Sequence, residues 1–214
     1  CMLRREIKHN SGYSMLYFMK DPSNICSITG LLSSFLGIYF SITGKYYYAL
    51  IGLLWAVIFD WADGIIARKL KNRTDYHRAV GTQMDSLIDI VSFGILPAVI
   101  LLSFGKFKPS FFPGAFLIVA GGVVRLSYFN VFGMIDKNTY KGLALDNNAI
   151  ILSFIFIFER FLSHQTFSTI LYTVMIILLV FNLAPIRTRK FGAGWLYVLI
   201  PYTVIMTVYY AYIQ

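Results

Sequence analysis

Four aspartates crowd one stretch of this chain at spacings that suit metal-assisted chemistry. Asp60 and Asp63 lie three residues apart, Asp85 and Asp89 lie four apart, and the surrounding sequence is apolar. Carboxylates gathered in such a setting repel one another and lose hydration, so they take up protons unless cations offset their charge. A pair of divalent metal ions is the simplest source of that charge, and metal ions beside a lipid bilayer indicate phosphoryl chemistry on a lipid.

Helical periodicity predicts that these carboxylates occupy two facing surfaces. The first surface is formed by Asp60, Asp63, Gly64, Ala67 and Arg68, and the second by Gly81, Asp85 and Asp89. Because the two segments are consecutive and antiparallel, both surfaces meet at the same depth. The small residues leave space for a nucleotide or a diphosphate, and Arg68 is placed to hold a phosphate oxygen.

The helices that position these residues are predicted to cross a membrane. The chain has 214 residues, of which 57% are apolar and 14% charged, whereas a soluble domain carries about 25% charged residues. Seven apolar stretches approach the ~20 residues needed to cross a bilayer: 23–43, 46–67, 83–104, 112–132, 147–163, 167–185 and 192–212. Strands are excluded as spans by these lengths and by the lack of two-residue alternation. The fold class is therefore an all-α integral, multi-pass membrane protein.

Charge patterning orients the chain and sets its predicted organisation. Of nineteen Lys and Arg, only Lys45, Lys106, Lys108 and Arg160 fall on one side of the spans, so the other side, which carries the aspartates, is predicted to be cytoplasmic. This placement explains the net charge of +9 by contact with anionic membrane lipids and not with nucleic acid. We expect a cytoplasmic interfacial segment (1–22), a six-span catalytic core (23–190) and an additional span (191–214).

The aspartate arrangement resembles the signature of the CDP-alcohol phosphotransferase family, Asp-x-x-Asp-Gly-x-x-Ala-Arg followed by Gly-x-x-x-Asp-x-x-x-Asp. Every position of the signature matches this chain: Asp60, Asp63, Gly64, Ala67, Arg68, Gly81, Asp85 and Asp89. One departure is the gap between the two halves, residues 69–80, which is longer than the family's usual eight residues.

The resemblance implies a fold, a reaction and a set of roles. Family members are six-helix membrane enzymes, usually homodimers, that move a phosphoryl-linked group from a CDP donor to an alcohol and release CMP. By this likeness, two divalent ions, Mg²⁺ or Mn²⁺, are held by Asp60, Asp63 and Asp85, while Asp89 acts as a further ligand or as the catalytic base. The implied CDP-binding residues are Asn24, Thr29, Asp60, Gly64, Ala67, Arg68 and Gly81. The seventh span lies beyond the usual core.

A finer likeness points to the phosphatidylserine synthase branch. It rests on residues 85–98, on the run from Arg125 to Asn130, and on Pro22-Ser23-Asn24 with Thr29. It weakens at residues 142–144, where that branch commonly carries Pro after Gly-Leu. The implied reaction transfers a phosphatidyl group from CDP-diacylglycerol to the hydroxyl of L-serine and releases CMP. On chemical grounds a serine carboxylate needs a cation, for which Arg125 is the candidate, and Asn130 is a candidate hydrogen-bonding partner for the acceptor.

Other acceptors remain open at this point. Glycerol phosphate, inositol or inositol phosphate are alternatives, and so is a CDP-aminoalcohol donor with a diacylglycerol acceptor. A phosphate-bearing acceptor would draw on the loop cations Lys71, Arg73 and Arg78. A different class, a membrane cation transporter with carboxylates along an ion path, is disfavoured because the four aspartates cluster at one end of two spans.

Overall fold

The computed structural model describes residues 14–71, 73–136, 139–189 and 193–213. Its α-helices are α1 Met15–Phe18, α2 Pro22–Ile42, α3 Tyr46–Lys69, α4 Asp75–Asp89, α5 Leu96–Phe104, α6 Phe112–Phe132, α7 Leu145–Ile155, α8 His164–Leu183 and α9 Leu196–Ile213. A π-helical turn lies at Ile90–Ile95, and 3₁₀ turns lie at Pro109–Phe111, Phe156–Phe161 and Ala193–Trp195. Two short strands, β1 Thr139–Lys141 and β2 Arg187–Arg189, pair antiparallel.

The long helices confirm an all-α, multi-pass membrane protein. Six helical segments of the described residues are long and apolar enough to cross a bilayer: Pro22–Ile42, Tyr46–Lys69, Asp75–Phe104, Pro109–Phe132, His164–Leu183 and Leu196–Ile213. At the position of the expected span 147–163, the structure has an α-helix that is shorter than these six. There α7 ends at Ile155 and continues as the 3₁₀ turn Phe156–Phe161. At ~1.5 Å per α-helical and ~2.0 Å per 3₁₀ residue the combined segment is roughly 28 Å long, close to the ~30 Å of bilayer hydrocarbon.

Small residues let α2 and α3 approach closely along most of their length. A Cβ added at Gly52 would lie 2.6 Å from the carbonyl oxygen of Ser33 and 3.1 Å from the Cα of Gly37. Ser33 uses this proximity to donate from its Oγ to the carbonyl of Gly52 at 2.9 Å. The close crossing sets the first turns of α2 beside the last turns of α3, where the aspartates of the first group lie.

The connection between α3 and α4 shows how the longer gap between the signature halves is accommodated. The last helical residue of α3 is Lys69 and α4 already begins at Asp75. Thr74 caps α4 by accepting a hydrogen bond from the amide of His77 at 3.4 Å. The extra residues therefore lengthen α4 toward its N-terminus, so that the helix begins eight residues before the span expected from residue 83.

The C-terminal helix α9 packs against α3 and α7. Tyr210 is fully buried, and its hydroxyl donates to the carbonyl of Ser153 on α7. Trp55 of α3 donates from Nε1 to Thr207 Oγ1 at 3.2 Å. At the other end of the chain, residues 1–13 of the expected interfacial segment lie outside the described residues, and the short helix α1 that follows exposes Met15 and Leu16.

Candidate active site

Three of the four signature aspartates converge between α3 and α4. One carboxylate oxygen from each of Asp60, Asp85 and Asp89 lies within 4.8 Å of the other two. Oδ1 of Asp89 is buried and has no hydrogen-bond partner among the described residues. A buried, unpaired carboxylate oxygen is costly, and carboxylate oxygens are the ligands that Mg²⁺ and Mn²⁺ prefer. These residues therefore fit a divalent metal ion.

Asp63 lies beside this cluster without being part of it. Its side chain is buried and accepts a short hydrogen bond at Oδ2 from the Oγ of Ser27 on α2. Its backbone carbonyl accepts from the Oγ of Ser23 at 3.1 Å. Two serines of α2 thus fix the position of Asp63.

A π-helical turn follows Asp89 directly. The turn covers Ile90–Ile95, and Pro97, two residues further on, has no amide hydrogen to donate back to the preceding turn. Ser92 within it is buried and accepts a hydrogen bond from Ser34 Oγ of α2 at 2.6 Å. Such turns are frequent at functional sites because they rotate neighbouring side chains out of the regular helical register. Here the turn separates the aspartate-bearing part of the third span from its apolar remainder.

A cavity of about 410 Å³ opens above the aspartates and has two walls of different origin. The first wall comes from α2, α3 and α4 and includes Asp63, Asp85 and six residues expected to bind CDP: Asn24, Asp60, Gly64, Ala67, Arg68 and Gly81. The second wall comes from α6, β1, α7 and β2 and consists of Phe129, Tyr140, Ala144, Asp146, Asn147 and Arg189. The first wall contains every signature residue except Asp89, and the second contains none of them.

Two signature glycines relate differently to this cavity. A Cβ added at Gly64 would meet only Arg68 Nη1, at 3.5 Å, so this position faces open space. A Cβ added at Gly81 would lie 2.7 Å from Arg73 Nη2 and 3.2 Å from Asn24 Oδ1. Gly64 thus leaves volume for a ligand, whereas Gly81 leaves volume for the side chain of Arg73.

Four residues expected at the site lie outside the cavity lining. One is Asp89, which belongs to the three-aspartate cluster but does not line the cavity. Thr29 is exposed, and its Oγ1 donates to the carbonyl of Ile25 at 2.9 Å. Asn130 is exposed and accepts from Ser86 Oγ at 3.1 Å. Arg125 donates from Nε to the carbonyl of Leu143 at 2.6 Å, behind the second wall.

Asp146 is a residue of the site that does not belong to the set predicted from the sequence. Trp61, which lies between Asp60 and Asp63 in the chain, donates from Nε1 to Asp146 Oδ2 at 2.8 Å. Asp146 stands in the first turn of α7, just before the expected span 147–163, where an acidic residue is ordinarily explained by the helix dipole. The available signal was an apolar helix that opens with a carboxylate followed by two asparagines.

Tyr140 of β1 faces the same region. Burial, with a further contribution from the negative charge of Asp146, raises the pKa of Tyr140 to about 12. Its phenol therefore stays protonated at neutral pH and remains a hydrogen-bond donor at the second wall.

Comparison with known proteins agrees with this geometry. A family model described as CDP-alcohol phosphatidyltransferase matches residues 22–209. The chain is similar to an archaetidylserine synthase from Methanothermobacter thermautotrophicus, with 39% identity over 61% of this chain and 55% of that protein. It is also similar to proteins named CDP-diacylglycerol–serine O-phosphatidyltransferase from Saccharomyces cerevisiae (37% identity, 47% of this chain, 39% of that protein) and Methanocaldococcus jannaschii (32%, 45% and 44%). The matches thus span about half or less of the length of these relatives.

Proposed function

The chain belongs to the CDP-alcohol phosphatidyltransferase family, and from this premise we propose that it transfers a phosphatidyl group from CDP-diacylglycerol to L-serine with release of CMP. The observation that carries the proposal is the cluster of Asp60, Asp85 and Asp89. Two of its members, Asp60 and Asp85, line a cavity whose first wall holds the rest of the signature. Serine is favoured because the names of the three relatives described above contain it. Those names differ in the lipid, since one contains archaetidylserine and two contain CDP-diacylglycerol.

Each residue of the first wall has a role in this proposal. Two divalent ions, Mg²⁺ or Mn²⁺, when bound by Asp60, Asp63, Asp85 and Asp89, would polarise the diphosphate and offset charge on the departing CMP. Arg68 donates to a phosphate oxygen from one turn past Gly64. Asn24, Gly64, Ala67 and Gly81 border the volume that the cytidine diphosphate occupies.

Asp89 is proposed to accept the proton of the attacking serine hydroxyl. Its Oδ1 is the buried oxygen without a partner among the described residues, so it has free capacity to accept a hydrogen bond or a proton. In general base catalysis the position of the accepting oxygen matters before its pKa. The phosphorus–oxygen bond to serine forms as the bond to CMP breaks, and the hydroxyl proton passes to this carboxylate.

Arg125 acts in the proposal through its position and not through contact with serine. Its Nε donates to the carbonyl of Leu143, two residues before the start of α7, the helix that carries Asp146. Asn130 likewise acts indirectly, through Ser86 on α4. We propose that both residues maintain the shape of the cavity.

The proposed site faces the cytoplasm of the cell, and the functional unit is a homodimer. The side assignment is supported by the excess of Lys and Arg on the face that bears the aspartates. The dimer is supported by the family resemblance and by the large apolar side chains that α6 exposes, Phe112, Phe116, Val124, Val131 and Phe132.

A second candidate keeps the chemistry and changes the acceptor to one that carries a phosphate. It is favoured by the guanidinium groups of Arg78 and Arg189, which line the cavity and are exposed. In that case Arg78→Ala would raise the KM of the acceptor, whereas a serine enzyme would keep its KM within a small factor.

The test uses the full-length protein purified in detergent with CDP-diacylglycerol and Mn²⁺ or Mg²⁺. CMP release is measured with serine, glycerol 3-phosphate, inositol, inositol phosphate and water as acceptors, and the lipid product is identified by mass spectrometry. We expect CMP release to depend on serine and to yield the serine lipid. Absence of CMP release with every alcohol would overturn the proposal, and metal flux in proteoliposomes without nucleotide turnover would favour a transporter.

A further inference from the structure

Asp146 and Asn147 form a second polar site in the cavity, opposite the metal-binding aspartates. Both residues stand in the first turn of α7 and line the second wall. Neither belongs to the family signature, and Asp146 is not part of the three-aspartate cluster. The first wall already provides the groups that a nucleotide diphosphate needs, so the second wall is left for the other substrate.

The position of this site is fixed from several directions. The carbonyl of Leu143 accepts hydrogen bonds from Arg125 Nε of α6 at 2.6 Å and from Asn182 Nδ2 of α8 at 3.0 Å. The amide of Gly142 donates to the carbonyl of Ile186 at 2.8 Å. The segment that leads into α7 is therefore held to α6, to α8 and to the residues before β2, so Asp146 and Asn147 are presented in one place.

The two side chains offer hydrogen-bond acceptor oxygens to a ligand that carries hydrogen-bond donors. Asp146 uses one carboxylate oxygen, Oδ2, to accept from Trp61. Oδ1 of Asn147 is shielded from solvent and has no hydrogen-bond partner among the described residues. Buried acceptors are normally paired, and a carboxylate beside an amide oxygen suits a cation that carries several N–H groups on one atom, which is an alkyl ammonium.

The site lies in the same cavity as part of the metal-binding cluster. Asp146 and Asn147 line this cavity together with Asp60 and Asp85, and Trp61, which binds Asp146, is adjacent in the chain to Asp60. A ligand that joins the two sites within one cavity therefore has its cation and its reacting group on one small molecule, with few atoms between them. A 2-amino alcohol meets that condition, since two carbon atoms separate its nitrogen from its hydroxyl.

We propose that Asp146 and Asn147 bind the ammonium group of the acceptor and so restrict the enzyme to amino alcohols such as serine. The inference rests on the proposed function and adds the residues that set its specificity. It disfavours inositol and glycerol phosphate as acceptors, because neither carries a positive charge to pair with the carboxylate of Asp146.

The test compares L-serine with 3-hydroxypropionate, which is serine without its amino group, in wild type and Asp146→Asn. Asparagine keeps an oxygen for Trp61, removes the negative charge and replaces the other oxygen by an NH2 donor, which an ammonium group cannot use. We expect kcat/KM for serine to fall roughly 10- to 150-fold, while the slow reaction with 3-hydroxypropionate is unchanged, so that discrimination between the two collapses. Glu159→Gln is the matched control, because it makes the same charge change at the opposite end of this helical segment, and it should alter neither substrate.

Two further measurements separate the inference from its premise. CDP affinity, measured by calorimetry with Mn²⁺, should be equal in wild type and Asp146→Asn. In the same calorimetric experiment, with CDP present, serine should bind to the wild-type protein. Its affinity for Asp146→Asn should be at least 10-fold lower. Binding of serine to wild type without CMP release would overturn the proposed function and support the ammonium site.

Three results would overturn the ammonium site. The first is that Asp146→Asn loses turnover of serine and of 3-hydroxypropionate by the same factor. The second is that the wild-type protein uses both acceptors equally well. The third is that the wild-type protein and Asp146→Asn bind serine with the same affinity. If Asp146→Asn does not bind CDP, Asn147→Ala carries the same comparison, because it removes the unpaired oxygen and leaves the bond between Trp61 and Asp146 in place.

Discussion

Arg73 donates from its Nε to Oδ2 of Asp21 across 2.7 Å, and the two side chains are only 10% and 3% exposed. Asp21 also caps α2, because its Oδ1 accepts from the amide of Ser23 at 3.0 Å. The pair therefore joins the start of α2 to the connection between α3 and α4. The sequence hypothesis grouped Arg73 with cations available to a phosphate-bearing acceptor, whereas the structure gives it a buried partner within the protein.

Loss of this pair should destabilise the protein. Arg73→Ala leaves the carboxylate of Asp21 buried and unpaired, which costs about 3–5 kcal/mol. We expect a lower melting temperature in detergent, and we expect Asp21→Asn combined with Arg73→Ala to recover part of the loss. Lys71→Ala is the control, since Lys71 is exposed two residues earlier. An Arg73→Ala protein as stable as wild type would show that the pair contributes nothing.

Metal binding should stabilise the folded protein through the three-aspartate cluster. For wild type, Mn²⁺ at 100 times its Kd should add about 2.7 kcal/mol to the free energy of unfolding. Asp89→Asn should lose most of this gain and, if Asp89 is also the base, reduce turnover by roughly 10²- to 10⁴-fold. Thermal unfolding with and without Mn²⁺ measures the first effect, and CMP release measures the second.

The control for this prediction is Asp75→Asn. The Asp75 carboxylate is fully exposed at the start of the same helix and pairs only loosely with Arg78, at 3.6 Å. Exposed pairs contribute little to stability, so the Mn²⁺ effect should be that of wild type. A full Mn²⁺ stabilisation in Asp89→Asn would contradict the assignment of Asp89 as a ligand.

The parts of the site that could be predicted from sequence are those set by helical periodicity. Asp60, Asp85 and Asp89 meet because each lies on a regular face of one of two consecutive antiparallel helices. The membrane class followed from composition, and six of the seven expected spans correspond to helices of sufficient length. These features depend on the spacing of residues within one segment, and a single sequence is enough to read that spacing.

The missed parts depend on contacts between segments distant in the chain. Asp146 enters the site through a hydrogen bond to Trp61, 85 residues away. The strands β1 and β2 are three residues each and pair across 46 or more residues, so neither shows a usable alternation. Arg73 looked like a free loop cation because nothing in its own segment indicates Asp21. The departure from helical register after Asp89 needed the packing of Ser92 against Ser34 to become visible.

Substitution of Gly64 should change the stability of the protein and its affinity for CDP in opposite directions. In a helix, Gly→Ala stabilises by about 0.5–1 kcal/mol, and the added methyl group at Gly64 meets nothing closer than 3.5 Å. Gly64→Ala should therefore raise the melting temperature without ligand and weaken CDP binding, because the methyl group occupies cavity volume. Gly81→Ala should lower both quantities, since its Cβ displaces Arg73. Unchanged CDP affinity in Gly64→Ala would remove Gly64 from the nucleotide wall.

The proposed membrane orientation predicts which loops a reagent can reach. Lys71 and Lys106 are both exposed, and the third helical segment, Asp75–Phe104, lies between them. We replace Cys1 and Cys26 by serine and introduce a single cysteine as Lys71→Cys or Lys106→Cys. If the positive-inside rule orients the chain, a membrane-impermeant maleimide should label position 106 in right-side-out vesicles and position 71 only in inverted ones. The reversed pattern would place the aspartates outside, away from cytoplasmic serine and CDP-lipid, and labelling of both positions from one side would show that segment 75–104 does not cross.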